Sequence, residues 1–172
     1  MKKLLFCLVS FLIFGIAFGQ DTVPNDSITK KVSYAGVVKI DDIKANELFI
    51  RAQSWFATTF KSSKDVIQLQ DKESGKIIGR GNFEMSTPGG FGNPIPGHTN
   101  FTITLLVKDN KYKYVITDFI WVYDKGQTEI EKITRKDASW ANKVRKQLNT
   151  DVNSIIEGLK SSMIKPSVST DF

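Results

Sequence analysis

Four β-strand patterns follow one another along the middle of the chain, between Asp65 and Tyr123. All but one of the connections between them are short and contain residues that favour tight turns. Strands joined by such short connections pair antiparallel, so the run predicts one antiparallel sheet. The expected limits of the four strands are Asp65–Gln70, Lys76–Met85, Thr99–Lys108 and Lys111–Tyr123.

One amphipathic helix is predicted on each side of this run. Apolar residues recur at helical spacing from Lys44 to Phe60, and Asp41 or Asp42 is placed to cap the helix start. The second helix begins near Asp137 or Ser139, either of which can cap it. Apolar residues then keep the same spacing until a proline ends the pattern.

A further strand, Ser33–Ile40, precedes the first helix. The spacing within that helix puts Arg51 on its polar side. Gly79 and Gly81 share one face of a strand and leave room there for a bulky helix side chain such as Trp55. We therefore predict an α+β fold, an antiparallel β-sheet with two helices packed on one face. The expected order of elements is β-α-β-β-β-β-α.

The first residues of the chain are typical of a secretory signal. Met1–Lys3 is positively charged, Leu4–Phe18 is almost wholly apolar, and small residues at Ala17 and Gly19 suit a signal peptidase. The apolar stretch is shorter than the ~20 residues of a membrane-spanning helix. An uncleaved anchor is the alternative. We expect cleavage before Gln20 and export to the periplasm or the extracellular space, with membrane contact only through the signal.

The rest of the chain is long enough for one domain. Residues 20–32 are polar, contain Pro24, and predict a flexible leader. Residues 33–165 are expected to form the single domain, and residues 166–172 a flexible tail.

Several chemistries are excluded by residue type. Cys7 is the only cysteine and lies in the signal, so the exported protein is expected to have no disulfide, thiolate metal site or cysteine nucleophile. No cofactor or metal motif is present. The formal charge is +6, but the basic residues are scattered, with a modest concentration at Lys108, Lys111 and Lys113 and another at Lys132–Lys146. A nucleic-acid partner is therefore not expected.

The chain lacks the motifs of common catalytic sites, and whether it is an enzyme is left open. Glu84 and Asp118 are placed to approach each other across strands, and His98 is the only histidine. A hydrolase or lyase with a carboxylate/His site would require a closed concave pocket that holds these groups.

Several segments of the chain form a recognisable pattern. They are Glu47-Leu48-Phe49, Arg51-Ala52, Trp55-Phe56, Lys76-Ile77-Ile78-Gly79 with Gly81, and Leu106-Val107-Lys108 through Lys111-Tyr112-Lys113-Tyr114. Together they resemble a family of exported Bacteroidetes domains of unknown function with a TBP-like fold (domain of unknown function family 4468). The resemblance covers residues 33–123, with Asn110-Lys111 where the family pattern has glycine followed by arginine. It implies the fold and the exported compartment but supplies no catalytic residue. The DNA binding of TBP itself does not transfer, because fold does not imply function.

The leading interpretation is an exported, non-catalytic binding or interaction module for an unknown protein or small-molecule ligand. Its contact surface is expected on the sheet face away from the helices, where period-2 counting also places Phe119 and Trp121. The alternative for these two aromatics is packing under the loop Ser86–His98 or under the second helix. A homodimeric structural subunit of the cell envelope is the remaining functional alternative. The predicted surface residues are Arg80, Asn82, Phe91, Thr104, Lys113, Thr117, Phe119 and Trp121.

Overall fold

The computed structural model describes residues 22–60, 66–89, 91, 93–136 and 138–166. The predicted signal peptide, residues 1–19, and the tail beyond residue 166 lie outside the described residues. Eleven elements are described. The strands are β1 (Tyr34–Lys39), β2 (Ile67–Asp71), β3 (Lys76–Glu84), β4 (Thr87–Pro88), β5 (Pro94–Ile95), β6 (Gly97–Lys108), β7 (Lys111–Tyr123) and β8 (Gly126–Glu129). The helices are α1 (Ala45–Thr59), α2 (Ile130–Thr134) and α3 (Ser139–Ile164).

The main sheet is antiparallel and has the strand order β1-β7-β6-β3-β2. The long strand β7 pairs with β6 along one edge. Along its other edge β7 pairs first with β1 and then with the short β8. The predicted α+β architecture with an antiparallel sheet is confirmed.

The apolar stripes of α1 and α3 meet on one face of this sheet and form a single core with it. Fully removing one such large apolar side chain from water contributes about 1.5–3 kcal/mol. The predicted placement of both helices on one face is therefore correct. The core includes Leu48, Ala52, Trp55 and Phe56 from α1, Val144, Leu148, Val152 and Leu159 from α3, and Ile77, Ile103, Leu105 and Ile116 from the sheet.

Gly79 and Gly81 admit aromatic rings to the sheet, as predicted, but the rings differ from the expected one. A Cβ atom built at Gly79 would lie 2.4 Å from Cε1 of Phe56. At Gly81 it would meet Phe101 at 2.5 Å and Phe60 at 2.6 Å. The ring over Gly79 is thus Phe56, the neighbour in sequence of the predicted Trp55.

The polar segment ahead of β1 packs onto the domain, contrary to the predicted flexible leader. Val32 is fully buried and Val23 is 7% exposed, both within the core. The Val32 amide donates a buried hydrogen bond of 2.8 Å to Glu131 Oε1 on α2. Domain packing therefore begins by residue 23, about ten positions before the predicted boundary, because two valines in a polar stretch find places in the core.

The start of α1 is capped from the β6–β7 hairpin and not from Asp41 or Asp42. The Ala45 amide donates to Asp109 Oδ1 at 2.8 Å, and the Ile43 amide donates to Asn110 Oδ1 at 3.0 Å. The hydrogen bond from the Ala45 amide is the main cause that lowers the pKa of Asp109. The turn between two strands thereby ties the helix to the sheet.

Arg51 is buried, although the helical pattern places it on the polar side of α1. Its guanidinium donates from Nη1 to the carbonyls of Met163 at 2.8 Å and Ile164 at 3.0 Å, and it pairs with Glu47. These carbonyls end α3 and have no acceptor role within the helix. The arginine therefore joins the two helices at one end of the core.

The predicted boundaries differ in two smaller respects. No side-chain hydrogen bond caps α3, so Ser139 is its first residue and not its cap, while Asp137 lies outside the described residues. The segment Ser86–His98 is less irregular than predicted, because β4 pairs with β5 and His98 belongs to β6.

Candidate functional site

The sheet face opposite the helices is the candidate surface on which most of the predicted surface residues lie. Along β3, β6 and β7 the residues that point toward the helices are mostly buried, while their alternate neighbours are half-buried or exposed. Among the described residues no helix or strand buries a side chain of this second set. We call it the open face. Its central members are Ile78, Arg80, Asn82, Thr102, Thr104, Leu106, Lys113, Val115 and Thr117.

Five of the predicted surface residues lie on this face. Arg80 and Asn82 on β3 are exposed, and so is Lys113 on β7. Thr104 on β6 is half-buried at the centre of the sheet, between Ile78 and Val115.

Thr117 is also half-buried on this face, but its hydroxyl already donates a hydrogen bond of 3.0 Å to the Val32 carbonyl. Phe91 lies apart from the face, between β4 and β5, and its side chain is fully exposed.

Phe119 and Trp121 were predicted on the wrong face. The pairing of β6 with β7 shifts by one residue between Thr102–Thr117 and Asn100–Ile120. Asp118 lies in this β-bulge with a φ of 57°. Because side chains alternate along a strand, the extra residue turns every following side chain to the other face. Phe119 and Trp121 are consequently 1% and 5% exposed within the core.

Trp121 packs under the segment that joins β3 to β6, which was the alternative prediction. Its indole nitrogen donates a buried hydrogen bond of 3.1 Å to the Met85 carbonyl. Its ring stacks on Tyr123 with centroids 4.4 Å apart, and it lies close enough to Gly97 to exclude a Cβ atom there. The tryptophan thus holds the connection in place and has a structural role.

A group of lysines that sequence reasoning only partly found lies at one end of the open face. Lys39 on β1 and Lys108 on β6 are both direct cross-strand partners of Lys111 on β7. Lys113 follows Lys111 by one strand repeat and therefore shares its face. We call these four exposed residues the lysine cluster. Three of them were visible as a concentration in sequence, but Lys39 is added by the pairing of β1 with β7.

Apolar side chains adjoin the lysine cluster on the same face. Val37 is the cross-strand partner of Lys113 and is 61% exposed, and Leu106 is its partner on the other side. Val115 and Ile78 continue this apolar band across the sheet. The arrangement combines uncompensated positive charge with apolar area, which suits contact with a partner of the complementary composition.

The structure brings together two of the three residues of the predicted carboxylate/His site. Glu84 and Asp118 both line a concave region of about 980 Å³ beside the end of β3, together with Arg80, Asn82, Asn100 and Thr102. Asp118 is already paired with Lys31. His98 is the cross-strand partner of Glu84 but does not line this region.

Within the described ranges no three histidine, aspartate or glutamate side chains are grouped so that they could hold a metal ion. In the same part of the chain, no helix combines the length and the apolar character needed to cross a membrane.

Comparison with known proteins supports the resemblance noted in the sequence. A family model described as a domain of unknown function (DUF4468) with TBP-like fold matches residues 34–121, just over half of the chain. The match begins at the start of β1, ends near the end of β7, and includes the open face. No curated protein matches the chain.

Two solved structures are similar to the protein in fold. A TBP-like protein from Parabacteroides distasonis has a TM-score of 0.66 at 13% identity, over 80% of this chain and 95% of that one. A DUF4468 family protein from Bacteroides ovatus has a TM-score of 0.66 at 16% identity, over 85% of this chain and 92% of that one. At these identities the likeness concerns the fold alone.

Proposed function

We propose that the chain, which belongs to the family of domains of unknown function (DUF4468) with TBP-like fold, is a non-catalytic binding module. We further propose that it is exported and that the open face is its contact surface. The observation that carries this proposal is a broad sheet face whose apolar and polar side chains are left uncovered by the described helices and strands. Export rests on the signal pattern in residues 1–19.

The chemistry of the open face supports binding over catalysis. Its centre consists of threonines and aliphatic side chains, with Arg80, Asn82 and Lys113 around them. These groups can bury area and form hydrogen bonds with a partner, but they contain no nucleophile activated by an adjacent base. In the concave region beside β3, Asp118 is engaged by Lys31, which leaves Glu84 without a second uncommitted carboxylate.

The test is capture of envelope proteins by the mature protein and by two variants. Thr104→Glu places a charge at the centre of the open face, between Ile78 and Val115. Thr150→Glu makes the same change at an exposed position of α3 and is the matched control. We expect Thr104→Glu to abolish capture and Thr150→Glu to retain it, with both variants folded by circular dichroism.

Capture that is equal for the two variants would refute the open face as the contact surface. The homodimer alternative is distinguished by light scattering of the purified protein. A dimer that Thr104→Glu converts to a monomer would identify a second copy of the chain as the partner.

A further inference from the structure

The lysine cluster is unfavourable for the isolated domain. Lys39 and Lys108 each lie directly opposite Lys111, and side chains in such positions have Cβ atoms about 4.5–5.5 Å apart. Like charges directly opposite each other destabilise a sheet. A sequence selected for stability alone would place a threonine or a carboxylate at one of these positions.

Neighbouring acids do not neutralise the cluster within the described structure. Asp109, in the turn between Lys108 and Lys111, is engaged by the Ala45 amide and by Lys44 on the helix side. Asp41 and Asp42 follow β1, but no ion pair joins either of them to the cluster in the described part of the chain.

Protection of a sheet edge does not explain the lysines either. Lysine on an edge strand prevents pairing with other chains, and Lys39 on β1 fits that role. Lys111 and Lys113 lie on β7, which has β6 on one side and β1 on the other at these positions, whereas Lys108 lies beyond the last pair of β3 with β6, Lys76–Leu106. Two of the four lysines, Lys111 and Lys113, therefore need another reason.

From this arrangement we infer that the lysine cluster and the adjoining apolar band bind an extended acidic segment of a partner protein. Carboxylates of the segment would lie on the cluster, and its apolar side chains would cover Val37, Leu106 and Val115. This inference rests on the proposed function of the open face, because it assigns the chemistry of the partner that this face takes.

The exposed apolar area and, among the described residues, the lack of exposed aromatic rings beside the cluster distinguish this occupant from other polyanions. A sulfated polysaccharide would leave the exposed Val37 uncovered, since it offers no apolar side chain. Single-stranded nucleic acid stacks its bases on aromatic side chains, whereas Tyr112 and Tyr114 of β7 point into the core. A protein segment that mixes acidic and apolar residues complements both parts of the surface.

The experiment measures binding of short fluorescent peptides to the mature protein by anisotropy, at low and at physiological salt. The probe alternates glutamate and valine, one control peptide alternates lysine and valine, and another alternates glutamate and serine. We expect only the glutamate–valine peptide to bind well, and to bind more weakly as salt rises.

The double variant Lys111→Gln/Lys113→Gln is expected to weaken this binding at least about fivefold, as loss of two exposed ion pairs allows. The matched control Lys143→Gln/Lys146→Gln removes two exposed lysines from α3 and should leave the affinity unchanged. Equal affinities of the two double variants would overturn the inference.

Two other results would also overturn it. Binding of the glutamate–serine peptide as tight as that of the glutamate–valine peptide would indicate attraction to any anion. Binding of dextran sulfate without binding of either acidic peptide would assign the cluster to a polysaccharide. If these peptides fail while Thr104→Glu still abolishes capture, the proposed function stands and only the acidic chemistry is wrong.

Discussion

Replacing Gly79 with alanine tests the close approach of α1 to the sheet. The added Cβ would lie 2.4, 3.0 and 3.2 Å from three ring atoms of Phe56, whereas carbon atoms in contact are about 3.5–4.0 Å apart. The ring would have to retreat by about 1 Å. It cannot do so freely, because Phe56 is fully buried and its centroid lies 4.9 Å from that of Trp55.

The strand cannot move away in compensation. Gly79 is paired on one side with Ile67 of β2 and on the other with Ile103 of β6. Overpacking a core in this way costs about 1–3 kcal/mol. Reduced entropy of the unfolded chain offsets about 0.4–1 kcal/mol of this when glycine becomes alanine. We expect Gly79→Ala to lower the free energy of unfolding by about 1–2 kcal/mol.

Urea denaturation of the mature protein, followed by tryptophan fluorescence, measures this difference. Gly158→Ala is the matched control, because Gly158 is exposed on α3 and its nearest neighbour, Trp55 Nε1, is 3.9 Å from the added Cβ. It should raise the free energy of unfolding by about 0.5–1 kcal/mol, as alanine does in helix interiors.

A double mutant locates the effect. Phe56→Leu should cost less in the Gly79→Ala background than alone, by at least about 0.5 kcal/mol, if the ring is the obstacle. The packing argument is refuted if Gly79→Ala is as stable as the wild type, or if the two changes are additive.

Three further predictions concern polar groups. Burial raises the pKa of Tyr112 to about 12, and its hydroxyl has no hydrogen-bond partner among the described residues. The free energy of unfolding of Tyr112→Phe, measured by urea denaturation, should therefore equal that of the wild type or exceed it by up to ~1 kcal/mol. Tyr34→Phe should lower the free energy of unfolding by ~1 kcal/mol, because it removes the 2.6 Å hydrogen bond to Asn149. Because the folded pKa of Tyr112 exceeds the unfolded value of about 10, ionisation of this tyrosine favours the unfolded state between pH ~10 and pH ~12 and has no effect below pH ~10. The wild type should therefore lose more stability than Tyr112→Phe over that range. Arg51→Met leaves two carbonyls at the end of α3 without their donor and should lower the free energy of unfolding by about 2–3 kcal/mol. The same change at the exposed Arg80 should lower it by less than ~0.5 kcal/mol. Equal losses would contradict the role of Arg51 in joining the two helices. Asp109→Asn keeps an acceptor for the Ala45 amide but loses the charge. Because the folded pKa of Asp109 is lowered, its charge stabilises the fold above pH ~4, and this stabilisation is lost as the pH falls. The wild type should therefore have the higher melting temperature at neutral pH, and the two melting temperatures should converge in acid.

Much of the fold follows from patterns within single segments. Alternation along β6 and helical spacing along α1 each depend on which face of one element is buried, and a local sequence records that directly. For the same reason Arg80, Asn82 and Thr104 were placed on the open face correctly, since β3 and β6 keep an unbroken register along their whole pairing, from Lys76–Leu106 to Glu84–His98.

The errors in the candidate site arise from contacts between distant residues. A single bulge at Asp118 moved Phe119 and Trp121 into the core, and period-2 counting has no means of locating an extra residue. Lys39 joined the lysine cluster only because β1 pairs with β7, across more than seventy residues of chain. Neither event leaves a signal in its own segment.

The amino-acid sequence alone determined the first strand, the two long helices and the four central strands in their order, and the one-sided cover that two apolar helical stripes provide for a sheet. These properties follow from side-chain hydrophobicity and backbone periodicity, which act over a few neighbouring residues. The sequence did not predict the short elements β4, β5, β8 and α2. The tertiary structure decided which strands are neighbours, where the register shifts, and that Asp109 and Arg51 cap helices remote in sequence. Those outcomes depend on the relative free energies of whole-chain packings, which no local pattern contains.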